Sequence, residues 1–95
     1  MPARAPVLVR TIGIRRVGLL DYDAALALQQ RLVEERRTGA IGDTLILVEH
    51  PPVITLGARN RVSRSNIVAS SAELVRAGIA VREAGRGGDV TYHGP

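Results

Sequence analysis

The pattern of apolar and polar positions predicts a strand and then an amphipathic helix at the start of the chain. Residues 7–14 are β-branched and roughly alternate, which favours a strand. Asp21 then opens a helix, because its carboxylate can accept hydrogen bonds from the free N–H groups of the first turn. Gly39 ends the helix, since glycine takes the left-handed conformation at a helix C-terminus without strain. The apolar face at helical spacing consists of Tyr22, Ala25, Leu28 or Gln29, and Leu32.

The middle of the chain predicts two strands separated by prolines. Residues 44–49 contain a continuous apolar run between turn residues, which is typical of a strand buried on both faces. Pro51 and Pro52 end this strand, because proline cannot donate to a strand ladder. Residues 53–56 can form a second short strand. Residues 57–66 are polar and rich in arginine, and they predict a surface loop.

The last third predicts a short helix and two strands. Ser70 and Glu73 fit a capping box, in which each side chain satisfies a backbone donor of the other residue. The helix runs to Ala77 and stops at Gly78. Residues 79–82 predict a strand, and residues 90–92 predict the start of another after a run of glycines.

Composition limits the chemistry that these 95 residues can perform. Cysteine is absent, and all 13 basic residues are arginine, so lysine is absent as well. A disulfide framework, a thiolate zinc site, a thiol nucleophile and a Schiff-base amine are therefore excluded. The length fits one small domain. Catalysis by these residues alone would need His50, His93, the nine carboxylates, hydroxyls or backbone groups.

Charge and hydropathy set expectations about partners. The net charge is +4, but the arginines are scattered, and Tyr22 and Tyr92 are the only aromatic residues. We therefore expect no nucleic-acid partner. The apolar runs are far shorter than the roughly 20 residues of a membrane span, so we expect no membrane partner and a cytoplasmic location.

The first candidate for chemistry is the sequence Glu49-His50-Pro51-Pro52. A carboxylate and an imidazole at the end of a buried strand can bind substrate or move protons. The alternative is an ordinary polar strand end that the prolines terminate. His50 and His93 lie far apart in sequence and lack the local spacing of metal ligands, so we predict no metal site.

The second candidate is the glycine-rich run at residues 85–95. Glycines permit close approach of backbone N–H groups to a ligand, and Arg86 can bind a carboxylate or phosphate with two hydrogen bonds. Thr91 and His93 project from the same face of a strand, because side chains alternate. The spacing matches neither a dinucleotide fingerprint nor a P-loop. The alternative is a simple glycine turn between strands.

Together, the two segments resemble the octanoyltransferase family, the lipoate–protein ligase B type. Residues 47–57 read L-V-E-H-P-P-V-I-T-L-G, and residues 86–95 read R-G-G-D-V-T-Y-H-G-P, after a G-I-A-V run at residues 78–81. Asp21-Tyr22, with Ala25 and Leu28-Gln29, fits the first helix of the family. The chain departs from the family pattern at Ile54, where an aromatic residue is more usual, and at Ala58.

The resemblance implies an α+β fold, a mixed sheet with packed helices like the catalytic core of biotin and lipoate ligases. Residues 1–95 would be the N-terminal part of a single catalytic domain whose C-terminal half is absent. The catalytic Cys and Lys of the family lie in that half, so no catalytic residue is expected in this chain, and the fragment alone is expected to be inactive.

The resemblance also implies partners and site residues. Octanoyl-acyl carrier protein would be the donor, and the acceptors would be lysines on lipoyl domains of 2-oxoacid dehydrogenases and on the glycine cleavage H protein, with no cofactor. His50 would help to position substrate, and Val90 would line an apolar channel that gains about 0.8 kcal/mol per buried methylene. The substrate-binding wall would comprise Arg86, Gly87, Gly88, Asp89, Val90, Thr91, Tyr92 and His93.

Two other functions remain open from the sequence. An ATP-dependent lipoate or biotin ligase shares the fold but forms an acyl-adenylate, relying on a lysine and a different glycine-rich run. The Y-H-G-P ending at residues 92–95 favours the thioester enzyme. An arginine-rich binding module without catalysis is the second alternative, and salt-dependent nucleic-acid affinity would be its signature.

Overall fold

The fold is α+β, with parallel and antiparallel strand pairs. A computed structural model describes residues 9–58 and 64–95. No helix in this part of the chain is long and apolar enough to cross a membrane. In chain order the elements are β1 (Gly13–Leu19), α1 (Tyr22–Thr38), β2 (Thr44–Glu49), β3 (Val53–Leu56), α2 (Ser71–Arg76), β4 (Ala80–Glu83) and β5 (Thr91–His93).

The strands form two sheets. In one, β1 and β2 pair in parallel on either side of α1 in sequence. In the other the order is β4-β3-β5, with β4 parallel and β5 antiparallel to β3. Because β3 is central, its backbone pairs along both edges. The α+β mixed arrangement confirms the predicted fold class.

Helix α1 begins and ends where the sequence predicts, but its first turn lacks the expected side-chain cap. Asp21 occupies the N-cap, yet its side chain makes no capping hydrogen bond, so that expectation is wrong. The Asp21 carbonyl accepts the first intrahelical hydrogen bond, from the Ala25 N–H at 2.8 Å. Gly39 has φ 83°, and the predicted left-handed C-cap is confirmed.

The first strand lies later than predicted. Residues 9–12 are not in a strand, and residues 1–8 lie outside the described part of the chain. β1 instead includes Arg15 and Arg16, with an irregularity before Gly18, whose φ is 77°. The position of β1 is decided by its pairing with β2, which runs from Gly13 opposite Thr44 to Leu19 opposite Glu49. A partner strand can outweigh local β-propensity.

Strand β2 has the predicted bounds, but it is not buried on both faces. Burial alternates along the strand: Leu45 is 46% exposed and Leu47 42%, whereas Ile46 and Val48 are half-buried. Helix α1 lies only over the face of β2 that carries Ile46 and Val48, and a cavity separates the helix from the strand. No described element covers the other face, which explains why the apolar run does not produce burial there.

The densest packing surrounds β3. Val53, Thr55 and Leu56 have at most 2% of their surface exposed. Gly57 is buried too, and residues 64–65 are helical, so the predicted surface loop at residues 57–66 is wrong at these positions. Residues 59–63 lie outside the described part. β4 begins one residue later than predicted.

The α2 cap is confirmed in part. The Ser70 hydroxyl oxygen accepts from the Glu73 N–H at 3.2 Å, as a capping box requires. The reciprocal bond differs, because the Glu73 carboxylate accepts from the Ser70 hydroxyl at 3.1 Å. Gly78, with φ 71°, follows the helix as predicted. Leu74 anchors α2 in the core.

Candidate active site

The candidate site is built around the buried hydroxyl of Thr55. Thr55 lies in the middle of β3 and is 1% exposed. In the β3–β5 register, Thr55 is opposite Thr91 and Val53 is opposite His93. Thr55, Thr91 and His93 therefore share one face of the sheet, which confirms that Thr91 and His93 project together.

The Arg86 guanidinium joins this face to the glycine-rich loop between β4 and β5. Its Nη2 donates to the Thr55 hydroxyl oxygen at 2.7 Å and to that of Thr91 at 3.0 Å. Its Nη1 donates to the backbone carbonyls of Gly87 at 3.0 Å and Asp89 at 3.2 Å. Arg86 thus holds the loop against β3. The sequence predicts that the Arg86 guanidinium binds a carboxylate or phosphate of a ligand. This substrate-binding role of Arg86 stays a prediction.

A close backbone approach between Gly57 and Gly88 brings the loop down onto β3. A Cβ atom on Gly57 would overlap the Gly88 carbonyl oxygen and lie 2.8 Å from its carbonyl carbon. Gly88 has φ 92°, a conformation that side chains rarely adopt. The Ala58 N–H also donates to the Arg86 carbonyl at 2.7 Å. Glycine is therefore required here by the protein's own packing.

Two histidines and a tyrosine meet beside the Thr55 hydroxyl. His50 follows β2, His93 lies in β5 and Tyr22 begins α1. The ring centroids are 6.1 Å apart for the two histidines, 5.6 Å for Tyr22 and His50, and 6.5 Å for Tyr22 and His93. The structure thus brings together the two segments that the sequence singled out separately.

Each imidazole is oriented by one hydrogen bond to its surroundings. His50 Nδ1 lies 2.9 Å from the Leu20 carbonyl oxygen, which joins the end of β2 to the segment before α1. His93 Nε2 lies 3.1 Å from the Thr55 hydroxyl oxygen. Both side chains are half-buried, so a ligand can reach them while their ring orientations are fixed.

The other predicted site residues lie at the rim. Asp89 is exposed and accepts from the Asn66 amide at 2.5 Å, which ties the loop to the segment before α2. Val90 is half-buried and Gly87 exposed. Tyr92 and His93 lie on opposite faces of β5. Tyr92 is 60% exposed, and its ring lies against Gly94.

A cavity of about 680 Å³ adjoins the aromatic cluster. It lies between the inner face of α1 and β2, and Tyr22 and His50 are among its lining residues. Leu28, Leu32 and Ile46 give it an apolar wall. Within residues 9–58 and 64–95, no group of three or more side chains is placed to hold a metal ion.

Sequence reasoning missed the roles of Thr55, Gly57 and Tyr22. In the sequence, Thr55 and Gly57 stand out only as members of a motif, and Tyr22 only as a member of the apolar helix face. A usable signal was present, since Thr55 is a polar residue inside an otherwise apolar strand. A buried hydroxyl needs hydrogen-bond partners, and it therefore indicates a polar site next to the strand.

The described residues form an α+β fold with a cluster of polar side chains on one face of its mixed sheet. The family described as the lipoyl protein ligase A/B catalytic domain matches residues 21–95. This match covers most of the chain, and the chain belongs to that family.

Curated relatives agree with this assignment. The chain is 49% identical to an octanoyltransferase from Chloroflexus aggregans over 92% of its own length and 38% of the relative's. It is 51% identical to an octanoyltransferase from Myxococcus xanthus over 92% of its length and 24% of the relative's. A third octanoyltransferase, from Acidobacterium capsulatum, is 48% identical over 88% of the chain and 33% of the relative. The chain thus spans well under half the length of these relatives.

Proposed function

We propose that the protein containing this chain transfers an octanoyl group from octanoyl-acyl carrier protein to a lysine of lipoyl domains. The acceptors are lipoyl domains of 2-oxoacid dehydrogenases and the glycine cleavage H protein. The observation that carries the proposal is the Arg86–Thr55–His93 network, in a chain about 49% identical to an octanoyltransferase over 92% of its length. Residues 1–95 are the N-terminal part of the catalytic domain.

In this proposal, the described residues bind and position the substrate. Acyl transfer needs a thioester carbonyl held at a fixed place, with hydrogen-bond donors aimed at its oxygen. The loop held by Arg86 forms one wall, with Val90 against the acyl chain. His93 and His50 contact polar groups near the carbonyl, and Tyr22, the first residue of α1, packs against both imidazole rings.

The proposed nucleophile is a cysteine outside residues 1–95, with a nearby lysine that favours its thiolate. The thiolate attacks the octanoyl thioester and the carrier thiol leaves, so an acyl-enzyme thioester forms. The acceptor lysine amine then attacks this thioester and releases the cysteine. Residues 1–95 contain neither Cys nor Lys, so we expect the isolated chain to give no octanoyl transfer even in a single turnover.

The test is octanoyl transfer by the complete protein to a purified lipoyl domain, followed by intact-mass measurement. We expect transfer from octanoyl-acyl carrier protein without ATP. Transfer that requires free octanoate and ATP would instead indicate a ligase of the acyl-adenylate type. Failure with both donors, together with salt-dependent binding to nucleic acid, would favour the arginine-rich binding module.

His93→Ala tests the site directly in the same assay. We expect kcat/KM to fall about 100-fold, because the variant removes a polar group that contacts the reacting carbonyl. Val75→Ala is the control, since Val75 is 78% exposed on α2 and should leave transfer unchanged. Unchanged transfer by His93→Ala would remove His93 from the site.

A further inference from the structure

The hydrogen of the Thr55 hydroxyl group decides which nitrogen of His93 carries a proton. The Arg86 guanidinium can only donate, so at 2.7 Å it occupies a lone pair on the Thr55 oxygen. The hydroxyl hydrogen must therefore point to a different partner. Thr55 is 1% exposed, and a buried hydroxyl without an acceptor is costly.

Within the described part of the chain, the acceptor in reach of this hydroxyl is His93 Nε2, at 3.1 Å. A nitrogen that accepts a hydrogen bond carries a lone pair and no proton. Neutral His93 therefore carries its hydrogen on Nδ1. This assignment follows from the donor-only character of Arg86 together with the burial of Thr55.

His50 is held in the same tautomer, but its second ring nitrogen is a hydrogen-bond acceptor, whereas that of His93 is a donor. The Leu20 carbonyl can only accept, so His50 Nδ1, 2.9 Å away, carries the hydrogen. The second ring nitrogen of His50, Nε2, carries a lone pair and can accept a hydrogen bond. The second ring nitrogen of His93, Nδ1, carries a hydrogen and can donate one. Neither has a hydrogen-bond partner among residues 9–58 and 64–95. As far as the described residues go, one imidazole thus offers a ligand a donor, and its neighbour offers an acceptor.

We propose that Thr55 is a positioning residue that holds His93 in the Nδ1–H tautomer, so that His93 donates to the substrate while His50 accepts from it. This inference rests on the proposed function for the identity of the substrate. The natural partner of the donor is the thioester carbonyl oxygen, where negative charge develops. The natural partner of the acceptor is a hydrogen of the attacking amine.

The first test measures the tautomers directly and does not depend on activity. The complete protein is labelled with ¹⁵N and ¹³C at histidine, and the ring signals are assigned with His50→Gln and His93→Gln. We expect both neutral rings to show the Nδ1–H tautomer. An Nε2–H tautomer for His93 in the unsubstituted protein would overturn the proposal, whatever reaction the protein catalyses.

Two substitutions at Thr55 separate its hydroxyl from its volume. Thr55→Val keeps the shape and removes the hydroxyl, and we expect the His93 tautomer preference to be lost. Thr55→Ser keeps the hydroxyl, and we expect the Nδ1–H tautomer to be retained. A Thr55→Val protein that keeps the tautomer would contradict the proposal. If Thr55→Val fails to fold, the unsubstituted protein still tests the proposal, because an Nε2–H tautomer of His93 there would overturn it.

Octanoyl transfer supplies the second readout. We expect Thr55→Val to lower kcat about tenfold with a smaller change in KM, and Thr55→Ser to restore it. Equal losses in both variants would indicate a purely structural role and overturn the proposal. If the unsubstituted protein transfers no octanoyl group, the proposed function fails, whereas the tautomer measurement still stands.

Discussion

The two sheets of this molecule are packed very differently. The first region comprises β1, α1 and β2, and the second comprises β3, α2, β4 and β5. Most buried side chains belong to the second region: Val53, Thr55, Leu56 and Leu74, against Leu32 alone in the first. The first region instead exposes apolar strand residues: Ile14, Leu19, Leu45 and Leu47. The candidate site draws its hydrogen-bond network from the well-packed region.

The difference follows from how many neighbours each strand has. β3 pairs along both edges and is also held by the loop that Arg86 organises. β2 pairs with β1 alone within the described part, and a two-stranded sheet is marginal by itself. A hydrogen-bond network needs side chains fixed by packing, and β3 can provide that rigidity whereas β2 cannot. Four experiments on the protein test this difference between the regions, from the largest expected effect to the smallest.

Leu56→Ala should produce the largest loss of stability. Leu56 is fully buried, and truncating a buried leucine typically lowers the free energy of unfolding by about 3 kcal/mol. Leu47→Ala, in the exposed face of β2, should lower it by less than about 1 kcal/mol. Chemical denaturation measures both. Similar losses for the two variants would contradict the difference between the regions.

Gly57→Ala should destabilise the second region by about 2 kcal/mol, because the added Cβ overlaps the Gly88 carbonyl and forces the loop away from β3. Gly85→Ala is the control, because Gly85 lies in the β4–β5 loop that Gly57 contacts and a Cβ there meets no atom within 4 Å. Denaturation curves give the two values, and equal curves would mean that the close approach is absent.

The two helix caps offer a smaller contrast. Ser70→Ala removes a capping hydrogen bond from α2 and should lower the free energy of unfolding by about 1 kcal/mol. Asp21→Ala should lower it by only a few tenths, because the Asp21 side chain makes no capping bond at α1. A larger effect at Asp21 than at Ser70 would reverse this contrast.

The ion pair between Asp23 and Arg82 tests what joins the two regions. Asp23 lies in the first turn of α1 and accepts from Arg82 of β4 at 3.0 Å. Both side chains are more than a third exposed, so solvent screening limits the pair to about 0.5 kcal/mol or less. Asp23→Asn should therefore change the denaturation midpoint only slightly. A loss above 1 kcal/mol would mean that the regions depend on this contact.

Local signals in the sequence predicted much of the fold. Gly39 and Gly78 mark helix ends because the conformations they adopt are unfavourable for other residues. The prolines after Glu49 end β2 because they cannot donate to a ladder. The strands at residues 44–49 and 53–56 have the predicted bounds. These features depend on a few neighbouring residues, and they are accordingly visible without the tertiary structure.

Other features depend on partners that are distant in sequence. The bounds of β1 depend on β2, and the burial of β2 depends on which of its faces α1 covers. The sequence indicated Arg86 as a polar site residue, but only strand pairing brings its guanidinium to the hydroxyls of Thr55 and Thr91. Its ligand-binding role stays a prediction. No local pattern reveals that Gly57 faces the Gly88 carbonyl.

The sequence by itself determined the helix ends, most of the strands and the two segments that carry the candidate site. It also determined that residues 1–95 contain no thiol or amine side chain for covalent catalysis. Only the tertiary structure decided that His50, His93 and Tyr22 meet, and that Thr55 links His93 to Arg86. The physical reason is that capping, turns and periodicity are short-range, whereas a hydrogen-bond network forms only after strand pairing sets its register.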